Sequence, residues 1–268
     1  MTGPAVDPGQ ILGVNDHETE HLRAEIFDRR AYLPPPLSLP PGAVVVDVGA
    51  NIGVFSLFAL AESPGATVYA CEPVPQLVDV LRRNLAPHPS AHVLPIGLSD
   101  VDEDVEFTYH PGFTTMSAQT AHADVRADRD LVARTAGVTD PDEAAVLAEL
   151  VAHRFRAVPV RARVRRLSGV LTELGVNSVD LLKVDVQRAE AAVLRGLDPA
   201  HWAGVRQVVV EVHDAPGPTA GRLAEVVGRL RALGFEVRAE QEPALAGSDR
   251  YTAFAHRAVA RRGGGERS

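Results

Sequence analysis

At 268 residues, with 46% hydrophobic side chains, the chain holds enough apolar material for one moderate domain with an appendage. Its formal net charge of -8 weighs against non-specific nucleic-acid binding and against a basic membrane-facing surface. The single cysteine, Cys71, excludes an internal disulfide and a multi-cysteine metal site, and no apolar run approaches the length of a membrane span. The first residues carry no basic region followed by an apolar core, so the expected location is the cytoplasm.

Residues 1–39 precede the core. Residues 1–20 are polar, with Gly and Pro; His21 to Tyr32 then places Leu22, Ile26 and Phe27 on one side of a short expected helix, stopped by Pro34-Pro35-Pro36. Such a segment either covers a ligand site or only packs. Val44, Val45 and Val46 form the continuous apolar run of a parallel strand covered on both faces. Asp47-Val48-Gly49-Ala50-Asn51-Ile52-Gly53 follows as a sharp turn, and Phe55, Leu57, Phe58 and Leu60 continue as a helix. A strand that ends in a glycine turn below a helix N-terminus is a place to bind a charged small molecule.

The dinucleotide spacing G-x-G-x-x-G is absent; the pattern is D-x-G-x-N-x-G, carried by Asp47, Gly49, Asn51 and Gly53. A carboxylate before the first glycine repels a pyrophosphate and attracts the ammonium and ribose of a nucleoside amino acid such as S-adenosylmethionine. Thr67 to Glu72 reads as the second strand, and Glu72 comes about 20 residues after Gly53, where a carboxylate grips ribose hydroxyls. NAD enzymes also use an acid there, so Glu72 alone does not discriminate. The pair Asp47 and Glu72, with the glycine turn, favours S-adenosylmethionine as the cofactor.

Pro75 to Leu85 reads as a helix and Ala91 to Ile96 as the third strand, ending at Gly97-Leu98-Ser99-Asp100. Ser99 or Asp100 can hydrogen-bond an adenine amino group there; a plain turn fits equally well. Val105 to His110 alternates as an antiparallel strand does. Residues 118–157 are rich in Ala, Asp, Glu and Arg, with helical patches around Arg129–Arg134 and Asp142–Phe155. They read as a helical insertion, either a lid over the strand ends or a solvated excursion. Val158 to Val164 returns as a strand whose Arg161 and Arg163, with Arg165 just beyond, share a face. That face can meet a phosphate, although a solvated charged surface is the favoured reading.

Leu167 to Leu174 is a short helix closed by Gly175. Val179 to Val186 is the fourth parallel strand, Ala189 to Leu197 a helix, and Val205 to Val212 the fifth strand. Thr219 to Leu233 is an amphipathic helix closed by Gly234, and Phe235–Ala239 and Tyr251–Ala255 are the last strands. The basic, Gly-rich tail, 257–268, is expected to be flexible.

Ligands of open parallel sheets sit beyond the carboxyl ends of the strands. Besides Asp47 and Glu72, two ends carry polar groups: Asp185 with Gln187, and Glu211 with His213. Glu211 and His213 are two apart on a strand and so point to one face. His213 is the natural general base, because imidazole titrates near neutrality, and Glu211 can orient its ring. Asp185 either contacts substrate or caps the following helix. Lys183 shares its parity, and Glu190 reads as an exposed helical residue. Asp185, Glu211 and His213 can in principle gather a hard cation, but no tight ligand motif requires one, so no metal is assigned.

The stretches VVVDVGANIGVFSLF, VYACEP, GLSD, DLLKVDVQRAEAAVLRGL and VRQVVVEVHD, in that order, resemble the FkbM-type S-adenosylmethionine-dependent methyltransferases over roughly residues 40–256. The resemblance implies an α/β, Rossmann-like class I methyltransferase domain. Its expected sheet is seven-stranded and mostly parallel, with helices on both faces and a helical insertion. Val164-Arg165-Arg166-Leu167-Ser168 is similar to the branch associated with polyketide and nonribosomal-peptide assembly lines. That branch methylates hydroxyl groups, so the implied partner is a small-molecule or carrier-tethered hydroxyl substrate, with neither nucleic acid nor membrane. It also implies a His–Glu active-site pair, carried onto His213 and Glu211, with Glu190 as the alternative acid. Many family members have Glu-Gly after the strand that ends at Asp185; Gln187-Arg188 stand here instead. Methylation on nitrogen or carbon, an NAD-dependent oxidoreductase, and a non-catalytic cofactor-binding or docking module are the competing readings.

Overall fold

The computed structural model describes residues 4–257. Helix α1 (Asp16–Arg23) runs into a π-turn, Ala24–Asp28. The core then alternates as β1 (Val44–Val48), α2 (Val54–Glu62), β2 (Thr67–Cys71), α3 (Pro75–Leu85) and β3 (Ala91–Leu94). Next come β4 (Gly97–Ser99), β5 (Glu103–Tyr109), β6 (Ala118–Gln119), α4 (Val125–Thr135), α5 (Pro141–Arg154) and β7 (Val158–Arg166). The chain finishes with α6 (Leu167–Leu174), β8 (Leu181–Val184), α7 (Glu190–Arg195), α8 (Pro199–Gly204), β9 (Gln207–His213), α9 (Arg222–Ala232), β10 (Glu236–Glu240) and β11 (Arg250–His256).

The main sheet has seven strands in the order β10-β11-β9-β8-β1-β2-β3. The run from β9 to β3 is parallel, and β11 is antiparallel to both β9 and β10. The central strands are apolar on both faces because both faces are covered. Val46, Val48, Leu182, Val184, Val208 and Val210 pack on one side against α6, α7 and α9. Val45, Leu181 and Val209 pack on the other against α2 and the N-terminal segment, through Phe55, Phe58, Ile26 and Leu33. The α/β architecture expected from the strand rhythm is therefore the observed one.

Several boundaries differ for identifiable reasons. The N-terminal helix starts at Asp16, ahead of the expected His21, because Asn15 caps it: its side chain accepts from the Glu18 N–H at 2.9 Å and donates back to the Glu18 carboxylate at 3.0 Å. The third strand stops at Leu94, ahead of Ile96, since Pro95 has no N–H to continue the ladder. Gly97–Ser99 instead joins a second sheet, β4-β7-β5-β6, that the sequence reading did not foresee. Its backbone is the antiparallel pairing of Glu103–Tyr109 with Val158–Val164, partners too distant in the chain to announce each other locally. Residues 118–122 belong to this second sheet and its edge, and the helices between β6 and β7 are α4 and α5. Arg163 and Arg165 are exposed or half-buried and paired with Asp104 and Glu173, a solvated charged face. Of the tail, only Arg257 lies among the described residues. It is fixed there, with its guanidinium 4.3 Å from the Phe235 ring and bonded to the carbonyls of Trp202, Val205 and Leu233. Residues 258–268 lie outside the described residues. Among those described, no helix is long and apolar enough to cross a membrane.

The insertion is tied to the sheet by a buried ion pair. Arg188, just past β8, donates to both carboxylate oxygens of Asp128 on α4 at 2.8 and 3.3 Å, and Arg250 approaches the same carboxylate at 3.5 Å. Both Arg188 and Asp128 are buried, so removing Asp128 leaves Arg188 only the longer contact to Asp249 at 3.3 Å. Asp128→Ala is expected to lower the unfolding free energy by about 3–5 kcal/mol, measured by urea denaturation, because two guanidinium groups lose their shared counter-charge.

Candidate active site

A cavity of about 810 Å³ opens above the carboxyl ends of β1, β2, β8 and β9. Its walls come from four places: the N-terminal segment, the glycine turn, the second sheet with its insertion, and the strand ends.

The glycine turn is built from left-handed backbone. Gly49 has φ 76°, Asn51 51° and Gly53 91°. A Cβ at Gly49 would lie 1.9 Å from the Asp185 carbonyl oxygen, so only glycine lets β1 and the end of β8 approach this closely. Asp47 lies beneath the turn, fully buried, and is not among the residues lining the cavity. This corrects the expectation that its carboxylate meets a ligand: one oxygen accepts from the Ser56 hydroxyl at 2.7 Å and the other stands 3.1 Å from Lys183 Nζ. Lys183 Nζ donates to the Gly49 carbonyl at 2.9 Å and lies 3.5 Å from Asp185. Burial disfavours the Lys183 charge, but Asp47 and Asp185 outweigh it and hold its pKa above the usual lysine value.

Glu72 faces the cavity. Its oxygens accept from the N–H groups of Asn51 and Val74, each at 2.9 Å, which fixes their direction. Burial pushes the carboxyl up to about 7 against the pull of those donors. Ser99 and Asp100 do not line the cavity, contrary to expectation. Asp100 is drawn outward to Arg195 at 2.8 Å, with the Ser99 hydroxyl 3.3 Å from it, and Gly97 and Leu98 present themselves in their place.

At the other end of the cavity stand Asp185 and Glu211. Lys183 is level with Val209 in the parallel ladder, so the residue two beyond each, Asp185 and Glu211, stand side by side. Asp185 accepts from the Tyr32 hydroxyl at 2.8 Å. Glu211 lies 3.7 Å from Arg250 and 3.6 Å from His213 Nε2. Burial and the Asp185 charge hold its pKa above the usual carboxylate value. His213 differs from expectation: its ring is fully buried, lies behind Glu211 and does not line the cavity. Its Nδ1 is 3.7 Å from Glu190, and neither ring nitrogen has a hydrogen-bond partner. Glu190 is also fully buried, where exposure was expected, and accepts from the His213 backbone N–H at 2.7 Å. Gln187 donates to the Thr115 carbonyl at 2.8 Å and accepts from Arg250, so it ties the strand end to the turn after β5. Among the described residues, no group of three or more His, Cys, Asp or Glu is arranged to hold a metal ion.

The N-terminal segment supplies cavity residues that sequence reasoning passed over. Glu18 accepts from the N–H groups of Thr114 and Thr115, and Asn51 donates to the Thr114 hydroxyl at 3.0 Å, so cover, turn and glycine loop are bonded in series. Glu25 is set into the cavity by the π-turn. The available signal was a carboxylate three residues after Leu22 and beside Ile26, on the side of the helix that should be apolar. Burial, with the charges of Glu211, Asp185 and Glu242, pushes the Glu25 carboxyl up to about 8.

The sequence profile of the methyltransferase FkbM domain matches residues 47–237. The chain is 44% identical over 255 residues to the AMB antimetabolite synthetase AmbE of Pseudomonas aeruginosa, covering 92% of this chain but only 12% of that protein. It is 42% identical over 252 residues to the 31-O-demethyl-FK506 methyltransferase FkbM of Streptomyces tacrolimicus, covering 92% of this chain and 93% of that one. Among solved structures, Aeropyrum pernix fibrillarin with natively bound S-adenosyl-L-methionine is similar at 13% identity and a TM-score of 0.44, over 84% of this chain and 71% of that one.

Glu25 and Glu72 both bind protons more tightly folded than unfolded, so stability falls as pH rises from about 4.5 through about 8. Glu25→Gln removes part of that slope. Its melting temperature is expected to exceed the wild-type value by several degrees at about pH 9 and to equal it at about pH 4, by scanning calorimetry at a series of pH values.

Proposed function

Because the chain belongs to the FkbM family of S-adenosylmethionine-dependent methyltransferases, we propose that it methylates a hydroxyl group of a natural-product intermediate, either free or tethered to a carrier. The observation that carries this reading is the shared cavity. One end presents the fixed Glu72 carboxylate, the other presents Asp185 and Glu211, and apolar side chains of α4 and α5 line the same cavity. The names of two relatives, a demethyl-FK506 methyltransferase and an antimetabolite synthetase, support a natural-product acceptor.

The donor end fits S-adenosylmethionine. The Glu72 oxygens, aimed by two backbone N–H groups, receive the ribose hydroxyls. The Gly49–Asn51 turn, which lines the cavity, meets the amino-acid part of the donor. Gly97 and Leu98 border the base, the role expected of Ser99 and Asp100. When bound, the donor supplies a methyl group made electrophilic by its sulfonium.

The acceptor end orients the nucleophile. Glu211 borders the acceptor oxygen and fixes its position, and Arg250 and His213 hold the Glu211 carboxylate in place. His213, buried behind it, acts through Glu211, which reverses the roles expected from the sequence. Asp185, held by Tyr32 and Lys183, borders the same position. The insertion excludes water and selects the shape of the acceptor through Leu131, Leu147 and Val151.

The direct test supplies isotope-labelled S-adenosylmethionine with hydroxylated natural products, 31-O-demethyl-FK506 first, and locates the label by mass spectrometry and NMR. A methyl on oxygen is expected; label found on nitrogen or carbon, or binding with no transfer across the panel, overturns the reading. Glu72→Ala is expected to raise the Kd for S-adenosylmethionine at least about tenfold by calorimetry, since a charge-assisted pair of hydrogen bonds is lost. Glu211→Gln is expected to leave that Kd within about twofold and to lower kcat at least about tenfold, because only the orientation of the acceptor is affected.

A further inference from the structure

The cavity contains more carboxylates than donor binding and acceptor orientation require, and they are unequally occupied. Glu18 is saturated by Thr114, Thr115 and Asn15. Glu72 holds two backbone N–H groups. Asp185 has Tyr32 and Lys183, Glu211 has Arg250 and His213, and Glu242 has Arg29 at 3.7 Å. Glu25 alone among these has no side-chain hydrogen bond and no lysine or arginine within 4.0 Å among the described residues; its one ion-pair contact there is His21 Nε2 at 3.9 Å. Partial burial and the Arg29 charge keep the His21 pKa below its ordinary value, so this imidazole is a weak counter-charge. The Glu25 side chain is 19% exposed, and it lines the cavity from a π-turn, a helix irregularity often found where a side chain is re-aimed for function.

We propose that Glu25, on the N-terminal segment, takes the proton of the acceptor hydroxyl during methyl transfer. This rests on the reading of the chain as an oxygen-directed methyltransferase. The groups that act on Glu25 are Asp185 and Glu211 from the strand ends, Glu242 from the loop before β11, and Arg29 from its own segment, with His21 beside it. Three of these are like charges. With the cavity free of donor, burial and those charges hold the Glu25 carboxyl at about 8, so near neutral pH it is mostly protonated. A cationic donor in the same cavity reverses the balance, and Glu25 gives up its proton to solvent as the donor binds.

In the transfer step Glu25 Oε accepts the hydroxyl proton while the acceptor oxygen forms its bond to the methyl carbon and the sulfur–carbon bond breaks. The bonding pair of that bond stays on sulfur. The positive charge on sulfur and the negative charge on Glu25 vanish together, so the transfer leaves the net charge of the cavity unchanged. A base whose proton affinity rises as the donor's charge disappears is matched to this reaction. Glu211, engaged by Arg250, remains the orienting carboxylate.

The test compares wild type with Glu25→Gln and Glu25→Asp. Titration of S-adenosylmethionine near pH 7, in two buffers of different ionisation enthalpy, counts protons released on donor binding. Wild type is expected to release most of one proton more than Glu25→Gln; release attributable to Glu72 is common to both. With a hydroxylated acceptor at saturation, Glu25→Gln is expected to lose about 10²–10⁴ in kcat, with the Kd for S-adenosylmethionine within about threefold, and Glu25→Asp to recover part of the loss. Circular dichroism and the melting temperature check that each variant is folded. Equal proton release in wild type and Glu25→Gln, or an unchanged kcat in that variant, overturns the Glu25 role alone. A wild-type protein that binds S-adenosylmethionine and methylates no oxygen overturns the reading on which it rests, and is seen without any variant.

Discussion

Lys183 is the interaction on which the site depends. Its ammonium is buried within the sheet, between Asp47 and Asp185, and bonded to the Gly49 carbonyl. A buried cation is tolerable only when surrounded by compensating acceptors, and here those acceptors are the parts that must be aligned. Asp47 belongs to the strand before the glycine turn, Gly49 to the turn, and Asp185 to the mouth of the neighbouring strand. One lysine thereby fixes the distance between the glycine turn and the mouth of β8. Removing the Cβ at Gly49 makes the approach sterically possible, and the ion pairs make it stable.

Around this fixed floor the walls are assembled from remote segments by hydrogen bonds. Glu18 on α1 accepts from the turn after β5, whose Thr114 meets Asn51 of the glycine loop. Tyr32 descends from the same N-terminal segment to Asp185. Arg188 and Gln187, standing where many family members have Gly and Glu, link the end of β8 to α4 and to Thr115. That departure at the strand mouth therefore has a structural use: both residues anchor the cover, and Gln187 also lines the cavity. The cavity is enclosed by segments that each contribute a polar clamp to a different rim.

Much of the fold was legible because its signals are local. Val44–Val46 and Val208–Val210 are apolar on both faces, as strands covered on both sides must be, and Gly175 and Gly234 close helices in left-handed conformation. Glu72 could be found by its distance from the glycine turn alone. The second sheet could not, since β5 and β7 pair across the whole insertion and neither strand carries a mark of the other. His213 was misjudged for a related reason. Alternation placed it correctly on the Glu211 side of its strand, but whether that position opens into the cavity or is sealed beneath α7 depends on Glu190, which reaches it from another element. Asp47 followed the same logic: its carboxylate precedes the turn in sequence and lies underneath it in space.

The sequence by itself determined the parallel strand order of residue types, the glycine turn and the family, because these rest on neighbours a few residues apart and on matched motifs. Tertiary structure decided which carboxylates line the cavity and which are consumed in holding the scaffold. Asp47, Glu190 and Asp100 have the same chemistry as Glu72, Glu211 and Glu25. They differ in where they sit: Asp47, Glu190 and Asp100 are paired with a buried lysine, a backbone N–H and an outward arginine away from the cavity lining, whereas Glu72, Glu211 and Glu25 line it, and that placement exists only once distant segments have packed together.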